Sequence, residues 1–173
     1  LEKYISGVVP AEMPLHWPME ALKAQAIAAR SFALQMIRER KDLHYDLDST
    51  VLDQVYKFLS DADIDPQLKS KLLQVMSETR SQILVDPRGR VLKAFYSADC
   101  GCQSEDPKFV WGHSESIVSV KDPSCEKRKR FSWGLNLQRD EIRQKLVAAL
   151  SLPEESELRT MHIAGRTPSG RVA

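Results

Sequence analysis

The strongest constraint on this chain is an alanine-rich helical pattern between residues 18 and 40. Leu22, Ala26, Ala29, Ala33 and Ile37 recur at spacings of three and four, and Pro18 stands at a first helical position with Glu20 close behind it. Arg38, Arg40 and Lys41 gather at the far end, where cations suit the helix dipole. The pattern predicts a helix over 18–40. Alanines at 21, 24, 26, 28, 29 and 33 keep it thin on several sides, so other backbone can approach closely. Arg30 and Ser31 stand out among those small neighbours, and residue type alone reads Arg30 as a helix-surface cation.

Immediately before this helix, VVPAEMP places Glu12 between two prolines. Pro10 and Pro14 each fix φ and bias the preceding residue away from the helical region, which predicts a stiff turn that aims the carboxyl at the mouth of the helix. Val8, Val9, Ala11, Met13, Leu15 and Trp17 could desolvate a carboxyl there, which favours its protonated, proton-donating form. The competing reading is an ordinary exposed loop glutamate.

At 173 residues and 42% hydrophobic, the chain can bury a core as one ordinary domain or two small lobes. Its 25 basic residues are balanced by 24 acidic ones, a formal charge of +1 that gives no sign of a nucleic-acid binder. No apolar run approaches the roughly 20 residues needed to span a bilayer. The chain starts in mid-pattern without a methionine, and we expect a domain trimmed from a longer precursor with a secretion signal or anchor. That expectation places it outside the cytoplasm, in periplasm or cell wall.

Downstream, Val51, Leu52, Val55, Phe58 and Leu59 have helical spacing, stopped near residue 60 by SDADIDP. Asp65 and Pro66 make an N-cap and first position for a helix reaching about Arg80. The period then changes. Ile83 to Val85 and Val91 to Tyr96, around DPRGR, read as a β-hairpin. Ile117, Val118 and Val120 read as a strand, Phe131, Trp133 and Leu135 alternate as another, Asp140 opens a helix to Leu150, and residues 159–173 return to strand and turn. Trp111 reads as core. The loop after Tyr96, with Ser97, Gly101, Gln103, Ser104 and Glu105, suits a groove for sugar hydroxyls, and equally any loop. Helices and strands without regular βαβ alternation predict an α+β fold, as two lobes flanking a groove.

Cys100 and Cys102 are too close in sequence for an ordinary disulfide with each other, which leaves Cys125 as the partner of one of them. Free thiols, or a zinc site adding His113, are the alternatives.

The opening LEKYISGVVPAEMPLHWPMEALKAQAIAARSFAL resembles the sporulation stage II protein D family, which is similar also to the amidase-enhancer domains of bacterial cell-wall proteins. YDLDSTVLDQVY, VLKAFYSADCG, VWG, VSVKDPSC and RTPSGRV follow in the family's order. The resemblance covers nearly the whole chain and implies a single domain, residues 1–173, with lytic transglycosylase activity on peptidoglycan glycan strands. It implies Glu12 as catalytic acid and Arg30, with Ser31, at the active site. Gln54 and Tyr56 fall on a Gln-x-Tyr motif, which residue type alone reads as a polar helix face and a half-buried ring. Tyr96, Ser97 and Gly101, with Glu105 beyond, fall on a substrate-binding segment, where Cys102 replaces a glycine that a positive φ or a close approach would require. Related sequences often pair a loop cysteine with an Asp-Pro-x-Cys, which implies Cys100 with Cys125. Some members bind zinc in the segment matching 44–54; here it keeps His44 but has no cysteine, so no metal is carried over, and no cofactor is implied. A non-catalytic glycan-binding module that recruits or stimulates a cell-wall amidase is the alternative reading.

One departure generates a prediction. Many relatives place a tyrosine and, two residues on, a lysine or arginine where this chain has Ser116 and Val118. Valine supplies neither charge nor donor, and losing a positioned partner commonly costs about 10²-fold in rate. Ser116→Tyr with Val118→Lys should raise turnover on stripped glycan strands and leave binding nearly unchanged; a double variant no faster than the parent refutes this.

Overall fold

The computed structural model describes residues 1–60, 64–112, 117–124 and 134–172. They contain five helices: α1 (Glu2–Glu12), α2 (Met19–Glu39), α3 (Pro66–Glu78), α4 (Lys108–Trp111) and α5 (Arg139–Leu150). The chain divides into two compact units, Leu1–Ala98 and Asp99–Ala173.

In the first unit, α1, α2 and α3 enclose a core of Ile5, Val8, Val9, Leu15, Leu22, Ala26, Ala29, Ala33, Leu72 and Val75. The small side chains of α2 face this core, and that is how α1 approaches it closely. α2 and α3 form where the periodicity places them, to within two residues at each end. The Asp65 side chain accepts from the N–H groups of Gln67 and Leu68, and Pro66 takes a first-turn position where its missing N–H costs nothing.

α1 differs from the expected turn. The helix runs through Pro10 and ends on Glu12, followed by extended Met13 whose N–H donates to the Val9 carbonyl. A proline in a helix interior costs about 3 kcal/mol. Ile5, Val8 and Val9, all fully buried, each contribute about 1.5–3 kcal/mol by leaving water, which outweighs it.

The α+β expectation is overturned, because among the described residues there is no strand or sheet and the fold is essentially all-helical. Among the described residues the isolated antiparallel bridges Val85–Val91 and Arg166–Val172 stand where strands were expected, and Gln103–Lys121 joins the expected loop to the residue after 117–120. The physical reason is incomplete cover. A two-stranded ribbon without a fully covered face is marginal in water; Val91 and Ala94 are buried, but Leu84, Val85, Val118, Val120 and Val172 are all exposed. Alternating apolar residues therefore did not mean a half-buried sheet. The strand expected over 131–135 falls mostly outside the described residues. Residues 51–59 are not helical either, and Val51, Leu52 and Phe58 project into solvent. Trp111, expected in the core, is 54% exposed.

In the second unit, Glu105 accepts hydrogen bonds from the Thr167 and Ser169 hydroxyls, and Arg171 donates to the Cys100 and Gln103 carbonyls, so the 166–171 turn is tied to the 100–105 loop. Arg139 and Arg143 of α5 donate to carbonyls of Leu158 and Glu154. No described helix is long and apolar enough to cross a membrane.

The Asp65 cap makes α3 a test of the first unit. Asp65→Ala should lower stability by about 1 kcal/mol and leave the helical circular-dichroism spectrum intact; an unchanged urea midpoint would show that the cap contributes nothing.

Candidate functional site around Glu12

α1 carries Glu12 on its last residue, half-buried, and the segment 53–57 crosses next to it. The Val55 backbone N–H donates to Glu12 Oε1 at 2.8 Å. Three further anchors hold this segment. Asp53 pairs with both terminal nitrogens of Arg40 at the end of α2. Gln54, fully buried, donates from Nε2 to the Ala29 carbonyl of α2 at 3.1 Å. Lys57 N–H donates to the Gly7 carbonyl of α1 at 3.2 Å.

Gln54 Nε2 also donates to the Tyr96 hydroxyl at 3.0 Å. Burial pushes the Tyr96 phenol well above its ordinary range, and the negative charge of Glu12 with a hydrogen bond to that carboxylate adds to the effect. Tyr4 is raised to about 12, first by burial and then by the charges of Asp53 and Glu12. Both phenols therefore stay protonated at neutral pH, and Tyr96 is a donor facing an acceptor. Tyr4 and Tyr56 stack with ring centres 5.5 Å apart and planes 3° from parallel.

Arg30 and Ser31 occupy a different place. Arg30 is 1% exposed; its Nε and Nη2 donate to the two carboxylate oxygens of Glu2 at 2.9 and 2.8 Å, and Nη1 donates to the Gln82 carbonyl at 3.0 Å. Ser31 donates to the Ile27 carbonyl and accepts from Leu84 N–H. To bind substrate, either would have to exchange partners it already has. Ser97 is exposed on the first unit.

Gly101 and Glu105 belong to the second unit. Gly101 has φ 59 and donates its N–H to Asp99, and Glu105 is engaged by Thr167 and Ser169. Cys102 has φ 74, so the position where the family resemblance implies a glycine does adopt the left-handed region, here with a side chain that strains it. Cys125, Ser116 and His113 lie outside the described residues, as does the expected Cys100–Cys125 pairing.

Sequence reasoning missed Val55, Tyr4 and Gly7. Val55 acts through its backbone, which its side chain does not announce. Tyr4 and Gly7 share a face of α1 at i, i+3 spacing, a signal visible only once 2–12 is read as a helix.

The SpoIID family model, described as stage II sporulation protein, matches residues 1–85, which include Glu12, Gln54 and Tyr56. Stage II sporulation protein D of Bacillus amyloliquefaciens is 31% identical over 186 aligned positions, covering 100% of this chain and 52% of that protein. The amidase enhancer of Bacillus subtilis is 28% identical over 141 positions, covering 82% of this chain and 18% of that protein. An uncharacterized protein of Brachyspira hyodysenteriae is 36% identical over 113 positions, covering 65% of this chain and 29% of that protein. The chain thus spans about half the length of the sporulation protein and less of the other two.

The Arg30–Glu2 pair yields a pH-dependent prediction. The hydrogen bond from Arg30 holds the Glu2 carboxyl below 4.5, its ordinary value, so the pair contributes stability above that pH and loses it as pH falls through the lower folded value. Glu2→Gln should cost about 1–2 kcal/mol at pH 7, toward the low end for a buried cation because the Glu2 side chain is 38% exposed. Urea unfolding should show the gap between parent and variant closing below pH 4.5. A gap that is constant with pH would exclude the ionised pair as its source.

Proposed function

Because this chain belongs to the stage II sporulation protein D family, whose function is related to the cell wall, we propose that it is a peptidoglycan lytic transglycosylase with Glu12 as its acid and base. The observation that carries this reading is a single half-buried carboxylate fixed by Val55 N–H next to the protonated Tyr96 phenol, while Asp53 on the crossing segment is already paired with Arg40. Ordinary glycosidases divide the work between two carboxyl groups. A transglycosylase needs one. Protonated Glu12 gives its proton to the oxygen between N-acetylmuramic acid and N-acetylglucosamine as the bond from C1 to that oxygen breaks. The resulting carboxylate takes the proton of the muramic acid's own C6 hydroxyl, whose oxygen bonds to C1 and closes a 1,6-anhydro ring. No water is consumed, and Glu12 ends as it began.

In this reading Val55 and Tyr96 hold the carboxylate left once Glu12 has given up its proton, which favours the first half of the cycle. The partners are peptidoglycan glycan strands, met outside the cytoplasm. The second reading, a glycan-binding module that stimulates a cell-wall amidase, is favoured by the relative named amidase enhancer. It keeps the glycan and does not need Glu12.

Glu12→Gln should bind glycan strands as the parent does and lose anhydro-end formation by about 10²-fold or more. Mass spectrometry of strands after incubation is the readout. Near-full production of anhydro ends by the variant would remove Glu12 from the mechanism, and strands bound but uncut by the unaltered protein would favour the binding module.

A further inference from the structure

Glu12 depends on a backbone donor 43 residues away in sequence, so whatever seats the 54–57 segment also sets the position of the carboxylate. Two residues of α1 do the seating. Gly7 is buried, and a Cβ built on it would lie 2.3 Å from Tyr56 Cε2, 2.8 Å from Cδ2 and 2.9 Å from the Lys57 carbonyl oxygen. Contacts that short do not occur, so the ring and the backbone beside it lie where only a glycine leaves room. One turn earlier, Tyr4 stacks face to face on the same ring. Lys57 N–H closes the contact by donating to the Gly7 carbonyl, and Tyr56 N–H donates to the Ser49 carbonyl.

Resting on the transglycosylase reading for its catalytic consequence, we propose that Gly7 and Tyr4 are positioning residues, a notch and a clamp on α1 that hold Tyr56 so that Val55 N–H meets Glu12 at the end of the same helix. α1 is thereby both the carrier of the acid and the bed for the strap that orients it. The Tyr56 ring is held by α1 and acts through its neighbour Val55. The Tyr4 hydroxyl is buried without a hydrogen-bond partner among the described residues, and it is the ring that does the stacking.

The inference makes the Val55 amide a reporter of Glu12. In isotope-labelled protein, the Val55 amide proton resonance should move when the Glu12 carboxyl titrates, and Glu12→Gln should abolish that movement. Gly7→Ala, which forces the ring away, and Tyr4→Ala, which removes the clamp, should also abolish it while Glu12 is still present. Tyr4→Phe keeps the ring and should keep the movement. On glycan strands Gly7→Ala and Tyr4→Ala should turn over about 10²-fold more slowly, the scale of a misplacement of about 1 Å, with KM little changed. If Gly7→Ala loses its helical circular-dichroism spectrum, Tyr4→Ala decides the matter. A folded Gly7→Ala or Tyr4→Ala whose Val55 amide still follows Glu12 overturns the proposal, and so does loss of the movement in Tyr4→Phe. If the unaltered protein makes no anhydro ends, the transglycosylase reading fails, whereas the amide resonance still tests the notch and clamp.

Discussion

A guanidinium that is 1% exposed must be paired and fully hydrogen-bonded, because an unpaired buried charge costs several kcal/mol. Arg30 meets that demand with partners from three parts of the chain: Glu2 in the first turn of α1, the Ala26 carbonyl in its own helix, and the Gln82 carbonyl beyond α3. The neighbouring Ser31 fixes Leu84 by the same logic. The start of α1 is thus tied to the middle of α2, and the chain leaving α3 is tied to the same turn. With its first turn tied there and Val8 and Val9 buried behind it, α1 presents its last residue in one place. The position of Glu12 follows from that.

The elements legible in the sequence are those whose signals are local. α2 and α5 end within one residue of where periodicity and flanking residues place them, and α3 starts where Asp65 and Pro66 say it should. The misread elements are those decided at a distance. Pro10 by itself argues for a turn, and only the burial of Ile5, Val8 and Val9 against two other helices overrides that preference. The alternating segments fail as strands because alternation stabilises a ribbon only when its apolar face is fully covered, and here Leu84, Val85, Val118 and Val120 stay exposed. Nothing in residues 83–96 or 117–120 reveals whether that cover exists.

The site was legible as a set of names and not as an order. Glu12, Gln54, Tyr56 and Tyr96 are all recognisable in the sequence, and the structure brings them together along α1, with Glu12 as its last residue and Tyr56 against Tyr4 and Gly7. Their relations are what the names conceal. Gln54 comes into view as one residue of a Gln-x-Tyr motif and Tyr96 as part of a substrate-binding segment, yet they bond each other. Arg30, which residue type reads as a surface cation, is the most deeply buried charge among the described residues. A backbone N–H and the missing side chain of a glycine leave no mark that residue chemistry can read.

The direction of the hydrogen bonds around Glu12 follows from counting protons. The Gln54 amide nitrogen has two: one goes to the Ala29 carbonyl, which can only accept, and the other to the Tyr96 oxygen. A phenol oxygen that already accepts keeps its own proton for another partner, and burial prevents that proton from being lost to solvent. The acceptor beside it is the Glu12 carboxylate. A main-chain carbonyl of α2 therefore sets the orientation of an amide, the amide sets that of a phenol, and the phenol donates to the acid. Both donors to Glu12, the phenol and the Val55 amide, are neutral. In the proposed single-carboxyl mechanism Glu12 gives up one proton and takes another back, with neutral donors rather than a cation beside it.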